Sequence, residues 1–285
     1  MIHIKKGHFI IKNIVLTDKR NMSLLFKSED KLYGIGGIFS NNCEILPVNI
    51  GKYIPTKFDC SVSTMVVIDN SYNIITQDKN QALHCTKKIK ALDVCFINPL
   101  RTCVIDCDLF PWVRGTDPNK SIFDTYYHKN FTKINNMAPI IGGDCGLGLS
   151  LFLDINGNVW SKGNIIESNK TQIKIGYNNI YYLGIDNCVY DKHGKIFDDV
   201  IRIDMYSSLL YCLTSSGDVY TKEINDWILI KSDIYDFISQ SPHILYIDFN
   251  GKLWSKNLPV PNIRYPEFQQ KTHFTNSMTK SARKF

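Results

Sequence analysis

The sequence of 285 residues lacks the features that mark membrane and secreted proteins. No segment approaches the roughly 20 consecutive apolar residues that a helix needs to span a bilayer. Near the start of the chain, charged residues lie too close to a short apolar run for a secretory leader. We therefore expect no membrane association and an intracellular protein, in the cytoplasm, the nucleus or a virion.

Motifs for metal binding and catalysis are also missing. The nine cysteines include no Cys-x-x-Cys pair, and the seven histidines show no His-x-x-x-His spacing, so no metal site is predicted. Two glycine-rich segments, 34–37 and 142–148, lack the Gly-Lys-Ser/Thr of a phosphate-binding loop and are predicted to be turns. We expect no cofactor, no catalytic residues and no enzyme activity, apart from the exchange activity considered below.

The cysteine pattern points to buried thiols in a reducing compartment. An odd number of scattered cysteines favours small buried side chains over a disulfide framework. The two cysteines closest in sequence, Cys103 and Cys107, are expected to share one face of a strand, because side chains in strands alternate with a period of two.

What the sequence does contain is a short pattern that recurs seven times. Each copy has an apolar run, a polar turn, an apolar residue and, in most copies, a closing aromatic. The clear copies close at Trp160, Tyr220 and Trp254. The weaker copies close at Tyr33, Ile75, Trp112 and Tyr190. Repetition at intervals of 30 to 48 residues predicts a repeat architecture.

Each copy of the pattern reads as a β-hairpin, because two apolar runs flank a short turn. Glycine occupies one turn position in three copies, at Gly157, Gly217 and Gly251, which predicts a positive φ there. Asn187 and Asp30 are expected to adopt the same conformation in two others. The first run of each hairpin is apolar almost throughout, which is typical of strands buried on both faces.

These features predict an all-β fold, a seven-bladed β-propeller of short antiparallel blades whose closing aromatics fill the gaps between blades. Two β-sandwiches are the alternative. Because no linker-like segment divides the chain, we expect one propeller domain over 1–265 and a basic, mobile C-terminal tail over 266–285. Residues 8–15 are expected to complete the last blade, beside the strands after Gly251.

Three segments resemble the repeat of the regulator of chromosome condensation family. They are VIRID…SSLLYCLTSSGDVYTK at 200–222, GLSLFLDINGNVWSKGN at 148–164 and SPHILYIDFNGKLWSKN at 241–257. The resemblance implies a seven-bladed propeller. The founding member promotes nucleotide exchange on a small nuclear GTPase on chromatin, so the resemblance also implies exchange activity toward a Ran-like small GTPase. The glycine-rich tail of the family repeat is echoed only at 33–37 and 160–164. The exchange loops of the family cannot be mapped residue by residue onto this sequence, because the corresponding turns are shortened.

One candidate binding site lies in the longest interval between repeats, 113–148. It combines aromatic and basic residues at Tyr126, Tyr127, His128, Lys129, Phe131 and Lys133. One interpretation is a loop on a propeller face that binds a protein partner. The other interpretation is an outer strand whose aromatics pack on the blade.

A second candidate site is the basic C-terminus, where residues 271–285 contain no acidic residue. Its cations are Lys271, Lys280, Arg283 and Lys284. One interpretation is that they bind a nucleic-acid backbone through counterion release, and the other is that they form a solvated chain end. The leading hypothesis is a non-catalytic scaffold that presents propeller-face loops to a protein partner. Nucleotide exchange and nucleic-acid or chromatin association are the alternatives. Richness in Ile, Asn, Lys and Tyr is typical of AT-rich genomes, including giant viruses and intracellular bacteria.

Overall fold

The computed structural model describes residues 11–16, 22–28, 31–35, 45–60, 64–78, 83–97, 101–116, 127–135, 137–146, 149–176, 179–206, 208–223, 226–240, 243–249 and 253–256. This part of the chain contains 27 β-strands and no helix. The strands form seven antiparallel sheets, a number that agrees with the seven copies of the repeat. The prediction of an all-β fold is therefore confirmed.

The strands follow one another in chain order from sheet to sheet. Sheet 1 contains β1 (Ile11–Leu16), β2 (Met22–Ser28), β3 (Lys31–Ile35) and β4 (Ile45–Pro47). Sheet 2 contains β5 (Pro55–Cys60), β6 (Thr64–Asp69), β7 (Ile74–Asp78) and β8 (Leu83–Thr86). Sheet 3 contains β9 (Ala91–Ile97), β10 (Arg101–Asp106), β11 (Pro111–Thr116) and β12 (Tyr127–Lys133). Sheet 4 contains β13 (Ile140–Gly146), β14 (Leu149–Asp154), β15 (Val159–Ser161) and β16 (Asn164–Glu167).

The remaining sheets repeat this arrangement. Sheet 5 contains β17 (Lys170–Ile175), β18 (Ile180–Gly184), β19 (Val189–Asp191) and β20 (Gly194–Phe197). Sheet 6 contains β21 (Val200–Tyr206), β22 (Leu209–Thr214), β23 (Val219–Glu223) and β24 (Asp226–Lys231). Sheet 7 contains β25 (Ile234–Gln240), β26 (His243–Asp248) and β27 (Leu253–Lys256) among the described residues.

The first strands of the sheets surround a central axis. Each first strand contacts the first strand of the next sheet, and β1 contacts both β5 and β25, so the contacts form a closed cycle. This cycle is the arrangement of a propeller and excludes two separate sandwiches. Each sheet thus lies between two neighbours, and every first strand lies at the centre.

The ring closes differently from the sequence prediction. Residues 11–16 pair with β2 and form the inner strand of sheet 1, so they do not complete the last sheet. The reason is the phase of the repeat, because every sheet begins with its inner strand and the first sheet follows the same order. Closure rests on the contact between β1 and β25. Residues 8–10 lie outside the described residues.

The hairpin formed by the second and third strands keeps one register from sheet 2 to sheet 7. In these sheets the closing residue pairs with the residue eight positions before it, as Trp112 pairs with Val104 and Trp160 with Phe152. In sheet 1 the turn is one residue shorter, since Tyr33 pairs with Phe26. All seven predicted hairpins are present.

The core lies between neighbouring sheets. The second strands are buried almost throughout, as predicted, and β10 is buried at every residue. The apolar clusters each join two consecutive sheets, and half-buried closing aromatics pack against three of them, at Trp112, Trp160 and Tyr190. These positions confirm that closing aromatics fill the space between sheets.

The cysteines follow the prediction only in part. Cys60, Cys103, Cys188 and Cys212 are buried free thiols, whereas Cys85 and Cys107 are exposed. The prediction that Cys103 and Cys107 share a strand face is wrong, because β10 ends at Asp106 and Cys107 lies in the following turn.

Candidate interaction surface

The turns between second and third strands share one backbone geometry. The predicted positive φ is present at Gly157, Gly217 and Asn187, and the equivalent residues Tyr72 and Leu109 also adopt it. Gly251 and Asp30 lie outside the described residues. The carbonyl of each positive-φ residue accepts a hydrogen bond of 2.7–2.9 Å from the first residue of the next sheet. The turns therefore lie side by side at one end of the propeller, which we call the turn face.

An aspartate six positions before the closing residue organises three of these turns, at Asp69, Asp106 and Asp154. The Asp154 carboxylate is buried and accepts hydrogen bonds from the backbone of Asn156 and Asn158 at 2.8 Å. It also accepts a bond from Trp160 Nε1 at 2.8 Å. Asp106 accepts the equivalent bond from Trp112 Nε1 at 2.8 Å.

These bonds set the ionisation of the turn carboxylates. Burial alone would raise the pKa of Asp154, but the hydrogen bonds from Trp160 and Asn158 outweigh it and hold the pKa below its ordinary value. Asp106 has a lowered pKa for the same reason, with Trp112 as its main donor. Both carboxylates are occupied by their own turns, so they hold the scaffold together and are not free for chemistry.

A second group of polar side chains links neighbouring first strands around the axis. Lys174 Nζ lies 2.9 Å from Asp204 Oδ1, and Arg202 pairs with Asp236. Asp204 Oδ2 accepts the Ser239 N–H at 2.9 Å, so this carboxylate joins sheets 5, 6 and 7. In the same manner, Asp144 Oδ2 of sheet 4 accepts the Ile175 N–H of sheet 5 at 2.8 Å.

The charges at the axis are paired. Burial would raise the pKa of Asp204, but Lys174 and Arg202 hold it below its ordinary value. Burial would lower the pKa of Lys174, but Asp204 and Asp144 raise it. For Asp144, burial dominates and raises the pKa. These groups connect sheets, and among the described residues no cluster of three or more His, Cys, Asp or Glu side chains could hold a metal ion.

One group of exposed apolar residues lies on the turn face. They occupy two kinds of position, the bulged second residue of a first strand and the first residue of a turn. The exposed fractions of Ile155, Ile185 and Phe249 are 57%, 65% and 54%. We call the whole set the apolar arc: Leu92, Ile141, Ile155, Ile185, Ile201, Tyr235 and Phe249.

The apolar arc follows the inner rim of the turn face. Its bulged residues belong to first strands, which surround the axis, and its turn residues are bonded to the links that enter those strands. Ile155 N–H, for example, donates to Pro139 at 2.9 Å. Tyr235 and Phe249 pack edge to face with ring centroids 6.1 Å apart. The arc spans sheets 3 to 7 and exposes at least one apolar side chain from each of these sheets.

The aromatic and basic cluster predicted from the sequence lies elsewhere. Tyr127, His128, Lys129, Phe131 and Lys133 belong to β12, the outer strand of sheet 3, and Tyr126 lies outside the described residues. Phe131 packs on the cluster between sheets 2 and 3, with Arg114 Cζ 5.1 Å from its ring centroid. Lys133 Nζ lies 3.5 Å from Asp106 Oδ2. The packing interpretation accounts for these two residues, and a binding role for the cluster stays a prediction.

The predicted basic tail lies outside the described residues, so Lys271, Lys280, Arg283 and Lys284 stay a predicted nucleic-acid site. Sequence reasoning missed the apolar arc. Its signal was visible as an apolar residue at the start of an otherwise polar turn, at Ile155, Ile185 and Phe249. Among the described residues, no helix is long and apolar enough to cross a bilayer.

Sequence comparisons find no matching family model and no matching curated protein. Structure comparison is informative. Yeast RCC1 (Prp20) in its complex with Kap60 has a TM-score of 0.62 at 11% identity, covering 76% of this chain and 74% of that chain. A second structure, Prp20p from Saccharomyces cerevisiae, studied for binding to Gsp1p and histones, has a TM-score of 0.56 at 12% identity, covering 70% of each chain.

A plant structure aligns over more of the chain. The CRINKLY WD40 ectodomain of the Arabidopsis thaliana receptor kinase ACR4 has a TM-score of 0.58 at 11% identity, covering 86% of this chain and 95% of that chain. The matches give no support to the viral or bacterial origin suggested by composition. At such low identity, structural likeness establishes the fold alone. The chain has a β-propeller fold similar to those of RCC1 and of the ACR4 ectodomain.

Proposed function

We propose that this protein is a non-catalytic interaction scaffold whose turn face binds a protein partner. The apolar arc carries the proposal. Soluble monomers rarely expose a contiguous apolar patch beyond about 300–600 Å², and larger ones mark binding sites. Seven side chains, each roughly half exposed, reach that order of area.

The rigidity of the turn face supports the same proposal. Each turn is bonded to the link that enters its own sheet and to the first strand of the next sheet, as Gly157 is to Lys170 at 2.9 Å. A surface held in one conformation loses little entropy on binding, which favours affinity. The Asp106 and Asp154 carboxylates are occupied by their own turns, so they stabilise the shape of the face.

A paired variant tests the role of the face. Ile155→Ser with Ile185→Ser removes two exposed arc side chains, and serine fits because Ser215 occupies the equivalent position in sheet 6. Ile165→Ser with Ile166→Ser is the matched control, since both isoleucines are exposed on the outer strand of sheet 4. We expect the first variant to lose proteins that the wild type and the control retain in affinity capture from eukaryotic lysate.

The outcome is read by mass spectrometry, with melting temperatures measured in parallel. Unchanged melting of both variants establishes that folding is intact. If all three proteins capture the same set at equal abundance, binding does not use the turn face and the proposal fails.

The likeness to RCC1 (Prp20), including a structure studied for binding to Gsp1p, favours a second candidate function. In this alternative the propeller promotes nucleotide exchange on a Ran-like small GTPase by binding the nucleotide-free form more tightly than the loaded form. The test is release of a fluorescent guanine nucleotide from a Ran-like GTPase at micromolar propeller. Acceleration lost in the Ile155→Ser/Ile185→Ser variant would support exchange through the turn face, and unchanged release would remove this candidate.

A further inference from the structure

Charge on the turn face is divided between two sides of the axis. The basic sector consists of exposed lysines in the links that enter sheets 2 and 3: Lys52, Lys87, Lys88 and Lys90. The acidic sector lies in the turns of sheets 5 and 6 and in the links to sheets 6 and 7: Asp186, Asp199, Asp218 and Asp233. Asp108 adds one negative charge near the basic sector. Near the acidic sector lie Lys231 and the ion pair between Lys195 and Asp198.

The acidic sector carries carboxylates that are bonded to hydroxyl groups. Tyr190 OH donates to Asp186 Oδ2 at 2.5 Å, and Ser215 Oγ donates to Asp199 Oδ1 at 2.6 Å. Ser216 Oγ donates to Asp218 Oδ2 at 2.9 Å. Because these donors are neutral, the carboxylates keep their negative charge, and this side of the face keeps a negative electrostatic potential.

The two sectors face each other across the ring. In the cycle of seven described sheets, the links to sheets 2 and 3 lie opposite sheets 5 and 6. The apolar arc follows the inner rim from sheet 3, beside the basic sector, through the acidic sector to sheet 7. The face therefore carries positive charge at one side, negative charge at the other and exposed apolar side chains on the inner rim of sheets 3 to 7.

We infer that the turn face of one copy of this chain docks on the turn face of a second copy. The inference rests on the proposed function, because it names the partner for the same face. A two-fold axis in the plane of the face, passing near sheet 4, lays the basic sector of each copy on the acidic sector of the other. The same axis stacks the arc residues of sheets 3 to 5 on their counterparts in the second copy. Such an interface is self-complementary, so every charge contact occurs twice.

Charge complementarity favours a second copy over a partner of one sign. A purely acidic partner would meet repulsion from Asp186 and Asp218, and a purely basic one from Lys87 and Lys88. The arc and the two sectors supply seven apolar and eight charged residues per copy. With their neighbours they approach the roughly 20–30 residues per side of a stable interface.

Charge exchange gives a direct test, with the dimer dissociation constant measured by sedimentation velocity at moderate salt. Variant A is Lys87→Glu with Lys88→Glu, and variant B is Asp186→Lys with Asp218→Lys. Each alone sets like charges against each other at both sectors, so we expect self-association to weaken by about tenfold or more. In an equimolar mixture, A meets B with opposite charges at both contacts, and we expect association close to that of the wild type.

Two controls separate this interface from general charge effects. Lys162→Glu with Lys192→Glu makes the charge change of variant A on hairpins at the opposite end of the propeller, and should leave the dissociation constant unchanged. Ile155→Ser with Ile185→Ser should weaken the dimer, whereas Ile165→Ser with Ile166→Ser should not. Higher salt should weaken the wild-type dimer, because exposed ion pairs are screened over about 8 Å at physiological ionic strength.

Two results would overturn self-association. One is a wild type that stays monomeric at about 100 μM, where even weak specific dimers form. The other is a mixture of A and B that associates no better than either alone. If the wild type is monomeric while the Ile155→Ser/Ile185→Ser variant still loses a captured protein, only the self-association inference fails. If it dimerises and captures nothing else, binding of a different protein fails instead.

Discussion

Replacement of Asp154 by alanine should destabilise the whole propeller, although Asp154 lies in a turn. Its side chain is buried and accepts four hydrogen bonds, from the backbone of Asn156 and Asn158, the Asn158 side chain and Trp160 Nε1, at 2.8–3.0 Å. The turn it holds is bonded to Lys170 of the next sheet. Loss of the carboxylate therefore acts on the interface between sheets 4 and 5.

The expected loss of stability depends on which of the four donors can bond to water once the carboxylate is removed. A hydrogen bond to a charged group stabilises a protein by about 1.5–3 kcal/mol. Asn156 is exposed and can be solvated, whereas Trp160 Nε1 is half-buried and loses its acceptor. Two such losses should lower the free energy of unfolding of Asp154→Ala by about 3–6 kcal/mol. Asp154→Thr should lower the free energy of unfolding by only about 2 kcal/mol. A threonine can accept one of the turn bonds, because Thr214 at the equivalent position of sheet 6 accepts the N–H of Asp218.

Denaturant titration at a series of pH values measures the size of this destabilisation and tests whether the ionised carboxylate is its cause. The pKa of Asp154 is lower in the folded protein than the ordinary value of about 3.9, so its stabilising effect is present above about pH 4. It is lost as pH falls through the folded pKa. The difference between wild type and Asp154→Thr should be constant from about pH 5 to 8 and should narrow below about pH 4.

Asp108→Ala is the matched control, because Asp108 is an exposed aspartate in the equivalent turn of sheet 3. It should stay within about 0.5 kcal/mol of the wild type. A loss below about 1 kcal/mol for Asp154→Ala would refute the reasoning, since the donors would then be satisfied without the carboxylate. So would a difference between wild type and Asp154→Thr that does not change at acid pH.

Three further predictions concern the backbone, the axis and the thiols. Tyr72→Gly should raise the free energy of unfolding by about 0.5–1 kcal/mol by relieving a positive φ, and Gly157→Ala should lower it by at least about 1 kcal/mol, both measured by denaturant titration. Lys174→Met should lower the free energy of unfolding by about 1–2 kcal/mol at neutral pH, because the largely buried Asp204 carboxylate loses the cation that is hydrogen-bonded to it. The loss should become smaller as acid protonates Asp204. Iodoacetamide should label the exposed thiols of Cys85 and Cys107 in the native protein, as measured by peptide mass spectrometry. It should not label Cys60 and Cys212, because burial raises the pKa of these two thiols.

The sequence was sufficient for the parts of the fold that depend on local pattern. The hairpins, the burial of their first runs and the positive φ at Gly157, Gly217 and Asn187 all follow from residues close together in the chain. Tyr72 and Leu109 adopt the same φ without any local preference for it. The aspartate that begins each of these turns and a hydrogen bond from the next sheet together hold this conformation.

Contacts between residues that are far apart in the chain could not be predicted from the sequence. Pairing of Lys174 with Asp204, 30 residues away, depends on the rotation from one sheet to the next. The closure by β1 was predicted wrongly, because an apolar run near the chain start reads the same whether it begins sheet 1 or completes sheet 7. The apolar arc escaped notice because its members are scattered in sequence and meet only around the axis.

The repeats themselves show that the fold does not require the apolar arc. At the first turn position, sheet 6 has Ser215 where sheets 4 and 5 have Ile155 and Ile185, yet the same backbone bonds form at 2.9–3.0 Å. At the bulge, sheet 5 has Thr171, with the geometry of its apolar equivalents. Since polar residues satisfy the same positions, exposed apolar side chains add little to folding. The proposed partner-binding role would account for the exposed apolar side chains of the arc.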